Sequence, residues 1–316
     1  MKFRTFGSTG MKVSEIGMGC WAIGGNSFGN SYGTTDDAES IKAIKKAIQT
    51  GCNFFDTADV YGHGHSEELL GIALQKIRQS VFIATKVGGA YMYNDEQWGH
   101  VNFTPEYVKF ALEQSLLRLR TNYIDLYQLH NPTLAMIKEG EIFKPLRQLQ
   151  QDGKIKHAGV SVFTLDEGLA ALYHADSVQC VFNIIDPRNY EMMETAKRRG
   201  VAIIVREPLA NGLLTGKYSV KNDAQGASSG ISVFEKGDIR SRTPNDYMEG
   251  VAELAGEIKK RFPHMTPAQV CLKYILNFDC VSTAIPGAKT EQQVIENTAV
   301  SDLPTLTQDE MEFFGG

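Results

Sequence analysis

Short apolar runs recur along the chain, and between them apolar residues return at every third or fourth position. The first pattern is that of buried strands, the second that of amphipathic helices. Strands are predicted to end at Asp56, at Lys86 (81–86) and at His130 (123–130), with others over 155–161, 178–182, 202–206 and 281–285. Helices are predicted over 36–50, 66–77, 104–119, 142–151, 165–175, 191–199 and 291–297. Their ends carry suitable signals: Asp36 near an N-cap, Pro105 at a first helical position, and Gly51, Gly153 and Gly200 as stops. Earlier in the chain, 2–6 and 12–16 flank Gly7-Ser8-Thr9-Gly10 and read as a hairpin, with 17–21 placed just after the first strand of the main sheet. Two further helices, 246–262 and 267–277, precede the last strand, and 307–314 reads as a short terminal helix.

A steady strand–helix alternation with no linker argues for a parallel sheet in one domain over 1–316. Closed on itself, that sheet is an α/β (β/α)8 TIM barrel with an N-terminal β-hairpin and extra helices near the C-terminus. Ionisable residues stand at three early strand ends. Asp56 ends one, Tyr61 follows it in a short loop closed by Gly62, and Lys86 and His130 end the next two. In a closed parallel sheet all four gather at the carboxyl edge, where such barrels build their active sites. Two insertions fall on the same edge. Residues 87–103 hold Tyr91, Tyr93 and Trp98, which either close over a substrate or pack their own loop. Residues 213–245 hold Gly226-Ala227-Ser228-Ser229-Gly230 and the charged stretch 235–240, which either folds across a cofactor or is a solvated turn.

Asp56, Tyr61, Lys86 and His130, in that order, resemble the tetrad of the aldo-keto reductases. The likeness runs from about Phe6 to about Asn297. It also takes in Gly17-Met18-Gly19-Cys20-Trp21, Gly159-Val160-Ser161, the stretch 208–218 beginning Pro208-Leu209-Ala210-Asn211-Gly212-Leu213, and Ile285-Pro286-Gly287-Ala288-Lys289. The resemblance implies carbonyl reduction with NADPH (NADP+ in reverse) or NADH as hydride donor, since no side chain supplies hydride. It implies Tyr61 as proton donor. A free phenol has a pKa of about 10, and a neighbouring cation lowers it. Lys86 is expected to be that cation, Asp56 to hold it, and His130 to orient the substrate oxygen. No Gly-x-Gly-x-x-Gly fingerprint is present, which disfavours a Rossmann site.

The same resemblance implies the cofactor positions. Ser161 and Gln179 are expected to hold the nicotinamide carboxamide, but Val162 stands where the family has a further Asn. Arg206 takes the place of a ring-stacking tyrosine, and a guanidinium plane can stack on an aromatic ring. Pro208, Leu209, Asn211 and Leu213 are implied along the pyrophosphate path, with Gly19, Cys20, Trp21 and Asp56 beside the ring. Trp21 either walls the substrate pocket or belongs to the core. Gly287 and Lys289 open a helix and make a plausible phosphate cradle. Lys289 is expected to meet a 2′-phosphate, and Gln293, Glu296 and Asn297 to hold the adenine end.

Composition removes other classes. Net charge is −5 and the basic residues are scattered, so no nucleic-acid partner is expected. No apolar run reaches membrane-spanning length, and no membrane partner is expected. The five cysteines (Cys20, Cys52, Cys180, Cys271, Cys280) form no Cys-x-x-Cys pair and sit mostly among apolar residues, which suits reduced thiols in the cytoplasm. No cluster has metal-ligand spacing. The resemblance implies a small-molecule carbonyl or sugar as the partner. Two rival readings remain: an NAD(P)-dependent dehydrogenase of a sugar or polyol, and a cofactor-binding regulatory subunit of a channel.

Overall fold

The structure, a computed structural model, describes residues 1–28, 31–89, 101–218, 234–235 and 237–315. Tyr91, Tyr93, Trp98, Lys236 and the 226–230 segment lie outside the described residues. The main sheet has eight parallel strands, each hydrogen-bonded to the next in chain order: β3 (Met18–Gly19), β4 (Phe54–Asp56), β5 (Phe82–Val87), β6 (Ile124–His130), β7 (Ile155–Ser161), β8 (Ser177–Val181), β9 (Ala202–Arg206) and β10 (Thr283–Ala284). Parallel bridges from Ile16 to Ala284 and from Gly19 to Gly287 join the first strand to the last. Across this seam Gly17 N donates to Ala284 O (2.8 Å), Ala284 N to Glu15 O (3.0 Å) and Gly19 N to Pro286 O (3.1 Å). A side chain at Gly19 would place its Cβ 2.5 Å from the Ile285 carbonyl oxygen, so the seam closes only over a bare backbone.

The predicted hairpin is present as β1 (Phe3–Thr5) and β2 (Lys12–Ser14), and it plugs the amino-terminal end. Phe6, Met11 and Val13 pack with the inward-facing Phe54, Ala84, Leu126, Ala202, Ile204 and Ile285 in one buried cluster. The alternation of the strands puts these residues inside and leaves Phe55, Ile83, Tyr127 and Val160 for the larger outer core beneath the helices. Burying each large apolar side chain contributes about 1.5–3 kcal/mol. Arg4 ties the plug down, donating to the carbonyls of Leu276, Phe278 and Val281 and pairing with Glu15 at 3.1 Å.

The helices are α1 (Asp37–Gln49), α2 (His65–Leu74), α3 (Pro105–Arg118), α4 (Leu134–Glu139), α5 (Lys144–Gln151), α6 (Leu165–Ala171), α7 (Tyr190–Arg199), α8 (Asn245–Arg261), α9 (Pro267–Leu276), α10 (Glu291–Ala299) and α11 (Gln308–Glu312). Asp36 caps α1 by accepting from Glu39 N, and Pro105 opens α3 behind Thr104. Among the differences from the sequence reading, four stand out. The first barrel strand lies within 17–21 rather than before it. The helix predicted to 77 yields at Leu74 to a 3-10 turn in which Ile77 has non-helical dihedrals. The helix predicted over 165–175 ends at Ala171. Helix α4, between a Thr133 cap and a left-handed Gly140, has too few residues to show a period and was not anticipated. No described helix is long and apolar enough to cross a membrane.

Candidate active site

The loop after β4 is built to hold one phenol. Tyr61 N donates to Ala58 O and Ser66 N to Tyr61 O, each at 3.2 Å, so the chain makes a tight turn into α2. Gly62 has a left-handed φ of 60°, and a Cβ there would lie 2.1 Å from the Gly24 carbonyl oxygen. The turn is therefore pressed against the loop after β3. Trp21, from that loop, stacks on Tyr61 with ring centroids 5.7 Å apart at 18°, and meets Tyr32 at 5.0 Å, tilted by 58°. Trp21 is only partly buried, which places it at the site wall and not in the core.

Asp56, Tyr61, Lys86 and His130 come together as the strand ends predict. Lys86 is fully buried and its ammonium meets three oxygens: Asp56 Oδ1 at 2.6 Å, Thr57 O at 2.8 Å and Tyr61 Oη at 3.1 Å. The other Asp56 oxygen accepts from Gln179 Nε2 at 2.7 Å and Gln128 Nε2 at 3.1 Å. A buried ion pair is tolerated only when its remaining donors and acceptors are satisfied, and here they are. His130 meets the Tyr61 ring edge-on at 6.0 Å. Gln128 was not singled out from sequence. It lies two residues before His130, and strand alternation alone puts both on the inner face.

The electrostatics follow from burial. Burial works against the Lys86 charge, but Asp56 and Tyr61 outweigh it, so the lysine pKa is raised and the ammonium persists. Burial raises the Tyr61 phenol, and Lys86 only partly offsets this. The expectation that the cation lowers the phenol overall is thus corrected: its pull is present, but in this dry site desolvation exceeds it. His130 is pushed well below its ordinary range, first by burial and then by Lys86 and Arg206. A neutral imidazole follows at all ordinary pH. Its ring-proton chemical shifts should stay constant from pH 8 down to 5.5, and an inflection near 6.5 would refute this. The unfolded chain protonates this histidine near its ordinary value while the native site resists, so its contribution to stability falls as pH drops below about 6.5.

The residues suggested for a cofactor divide into two groups. Ser161 and Gln179 are register partners on β7 and β8, next to His130. Gln179 Oε1 is buried with no protein hydrogen-bond partner, an acceptor suited to a carboxamide NH2. Ser161 Oγ lies 3.4 Å from Asn131 Oδ1, so a side-chain amide stands close by even though Val162 is buried and apolar. Arg206 pairs with Glu207, donates to Val162 O at 3.2 Å and lies 4.7 Å over the Phe163 ring; its Nε is buried without a partner. Beyond it Glu207, Ala210 and Asn211 all have positive φ. Such strain in non-glycine residues gathers at ligand clamps. Cys20 is buried, and burial holds its thiol well above its ordinary value, so it offers no thiolate.

The second group is engaged with the protein itself. Pro208, Leu209 and Leu213 are buried. Asn211 Oδ1 accepts from Tyr32 Oη at 2.6 Å. Lys289 Nζ donates to Tyr32 O (2.6 Å), Thr34 O (3.1 Å) and Gly33 O (3.4 Å). Gln293 Oε1 accepts from Lys289 N at 2.7 Å, Asn297 Nδ2 donates to Gly287 O at 3.4 Å, and Glu296 is partly exposed on α10. Arg240 joins this end, pairing with Asp238 at 2.6 Å and lying 5.3 Å over the Tyr32 ring. Tyr32 and Arg240 sit in irregular loops with no period to mark them, and sequence reasoning gave neither a role of its own.

Parallel strands closed into a ring, with a buried carboxylate–ammonium–phenol chain at the carboxyl end, define a (β/α)8 barrel equipped for proton transfer. The Aldo/keto reductase family model matches residues 15–314, and the chain belongs to that family. It is accordingly an NAD(P)H-dependent oxidoreductase. It is 30% identical to the aldo-keto reductase YhdN of Bacillus subtilis (strain 168), over 93% of this chain and 87% of that protein. Among solved structures it resembles the holo form of the aldo-keto reductase AKR11C1 from Bacillus halodurans, with a TM-score of 0.80 and 29% identity over 100% of this chain and 95% of that one. It also resembles the glycerol dehydrogenase AKR11B4 from Gluconobacter oxydans, with a TM-score of 0.78 and 27% identity over 99% and 94%.

Proposed function

We propose that the chain reduces aldehydes or ketones to alcohols, drawing hydride from NADPH, with Tyr61 as the proton donor. The observation that supports this most is the 3.1 Å contact between the Lys86 ammonium and the Tyr61 oxygen, in a site where Asp56 holds the lysine. A bound reduced nicotinamide supplies the hydride. Ser161, Gln179 and Asn131 hold its carboxamide, with Asn131 covering the position that Val162 leaves apolar. His130, kept neutral, donates a hydrogen bond to the substrate oxygen and aims it at Tyr61. As negative charge grows on that oxygen the phenol gives up its proton, and Lys86 stabilises the phenolate left behind. Trp21 and Tyr32 exclude water from one side. Arg206 would lie against the ring of the bound cofactor, and Gly287, Lys289, Gln293, Glu296 and Asn297 would hold its adenosine end.

A panel of aldehydes and ketones with NADPH, followed by loss of absorbance at 340 nm, tests the reading; no turnover on any member would refute it. A polyol dehydrogenase is the second reading, favoured by the likeness to a structure described as a glycerol dehydrogenase. Reaction of polyols with NADP+ that outpaces every carbonyl reduction would select it.

NADPH preference rests on Lys289. Its ammonium now binds three backbone carbonyls, and burial lowers its pKa, so a 2′-phosphate has to replace part of that set. A charged hydrogen bond there is worth about 1.5 kcal/mol, or roughly tenfold. Lys289→Ala should weaken NADPH about tenfold and leave NADH nearly unchanged in fluorescence titrations. Equal losses would move phosphate recognition to Arg240.

A further inference from the structure

Beside the ion pair the barrel interior holds a polar layer. Asp56 on β4, Gln128 on β6 and Gln179 on β8 stand on alternate strands, which is how side chains share one layer inside such a barrel. All three are buried, Gln128 completely. Asp56 Oδ1 is taken by the Lys86 ammonium at 2.6 Å, while Asp56 Oδ2 accepts from Gln179 Nε2 at 2.7 Å and from Gln128 Nε2 at 3.1 Å. Gln179 Nε2 also donates to Gln128 Oε1, at 3.4 Å. The three side chains therefore close a small hydrogen-bonded triangle. The backbone makes room for it. A Cβ at Gly159, the register neighbour of Gln128 on β7, would lie 2.9 Å from Gln128 Cγ. The bare glycine lets the Gln128 side chain reach across β7 to β8.

The triangle has a fixed sense. A carboxylate only accepts, so both amides turn their NH2 groups to Asp56. Gln128 has its oxygen left, and that oxygen meets the second N–H of Gln179. With both N–H groups engaged, Gln179 has one polar atom left over: Oε1, buried and without a partner among the described residues. A buried acceptor of this kind calls for a donor from elsewhere, and the NH2 of a nicotinamide carboxamide is such a donor. We propose that Gln128 is a positioning residue for the cofactor: by filling the second N–H of Gln179 it pins that amide at two points and keeps Oε1 aimed at the carboxamide. Without Gln128 the Gln179 amide hangs from Asp56 by one hydrogen bond and swings about it.

This inference rests on the reading of Gln179 as a holder of the carboxamide, and the experiment separates the two. The probe is the reduced 3-acetylpyridine analogue of NADPH, in which a methyl ketone replaces the carboxamide. It keeps the carbonyl and lacks the N–H groups. Affinities come from quenching of tryptophan fluorescence, so neither turnover nor the role of Tyr61 enters. The parent should bind NADPH about tenfold more tightly than the analogue, since one buried hydrogen bond is worth up to roughly that factor. Gln128→Met, close in size but without the amide, should narrow the ratio to about twofold by weakening NADPH about fivefold while the analogue holds. A change in barrel packing alone would weaken both cofactors alike; a folded variant that keeps the parent's ratio overturns the positioning role. If Gln128→Met gives no folded protein, Gln128→Asn carries the test. It keeps an amide, one methylene short of its partners, with the same narrowing expected and the same result against. Gln179→Met, measured in parallel, should abolish the preference. A parent that binds the two cofactors equally, or a Gln179→Met variant that keeps the parent's ratio, overturns the Gln179 assignment and the role of Gln128 together.

Discussion

Tyr61→Phe should lower kcat for carbonyl reduction about a thousandfold, which is roughly 4 kcal/mol of transition-state stabilisation, and leave NADPH binding nearly unchanged. The substitution removes one oxygen and its proton. The ring remains, so its stacking on Trp21 at 5.7 Å and its edge contact with His130 at 6.0 Å persist. What disappears is the only hydroxyl among the described residues that the Lys86 ammonium touches. Single-turnover reduction monitored at 340 nm isolates the chemical step from product release. A folded variant within a few-fold of the parent would mean that the proton comes from elsewhere, with His130 disfavoured because it is already neutral.

Lys86→Met should be costly twice over. It leaves the Asp56 carboxylate buried without its cation, and breaking such a pair typically costs about 3–5 kcal/mol of stability. Gln128 and Gln179 still donate to Asp56, which keeps the loss towards the lower end. The activity of the surviving folded protein should also fall, because the phenolate has no neighbouring cation and burial alone sets the phenol. Its pH–rate profile should move to higher pH, and normal turnover with an unmoved profile would make Lys86 a purely structural ion. The pair has its own pH window. Lys86 has a raised pKa in the native state, so its stabilisation is full below the ordinary lysine value of about 10.5 and disappears as pH rises through the raised native value. Urea unfolding at several pH values between 8 and 11 should show the parent losing stability at the top of that range and the variant losing less.

Regular segments of the chain are legible in the sequence. Strands β7 and β9 coincide with the predicted 155–161 and 202–206; β9 is an apolar run between turn signals, and the place of β7 follows from the strand–helix alternation around it. The four ionisable strand ends could be placed together because parallel strands share one carboxyl edge. Gln128 follows from the same alternation. Other features do not follow from any local pattern. Tyr32, Asn211 and Lys289 meet across more than a hundred and seventy residues of chain separation, through a loop whose glycines and asparagines carry no period. The net direction of the Tyr61 shift was also beyond sequence, since it depends on how dry the site is.

The seam of the barrel bears on how the protein is made. Its hydrogen bonds join Gly17 to Ala284 and Gly19 to Pro286, residues from opposite ends of the chain. At about 5–20 residues per second, a ribosome takes on the order of tens of seconds between making the two sides. Throughout that time β3 has only one partner, and its free edge and the hairpin plug await the last strand. Arg4 cannot reach the carbonyls of Leu276, Phe278 and Val281 until they too have been made. A nascent chain therefore carries an open sheet until residues 283–287 have been made, and only then can the ring that gathers the active site form.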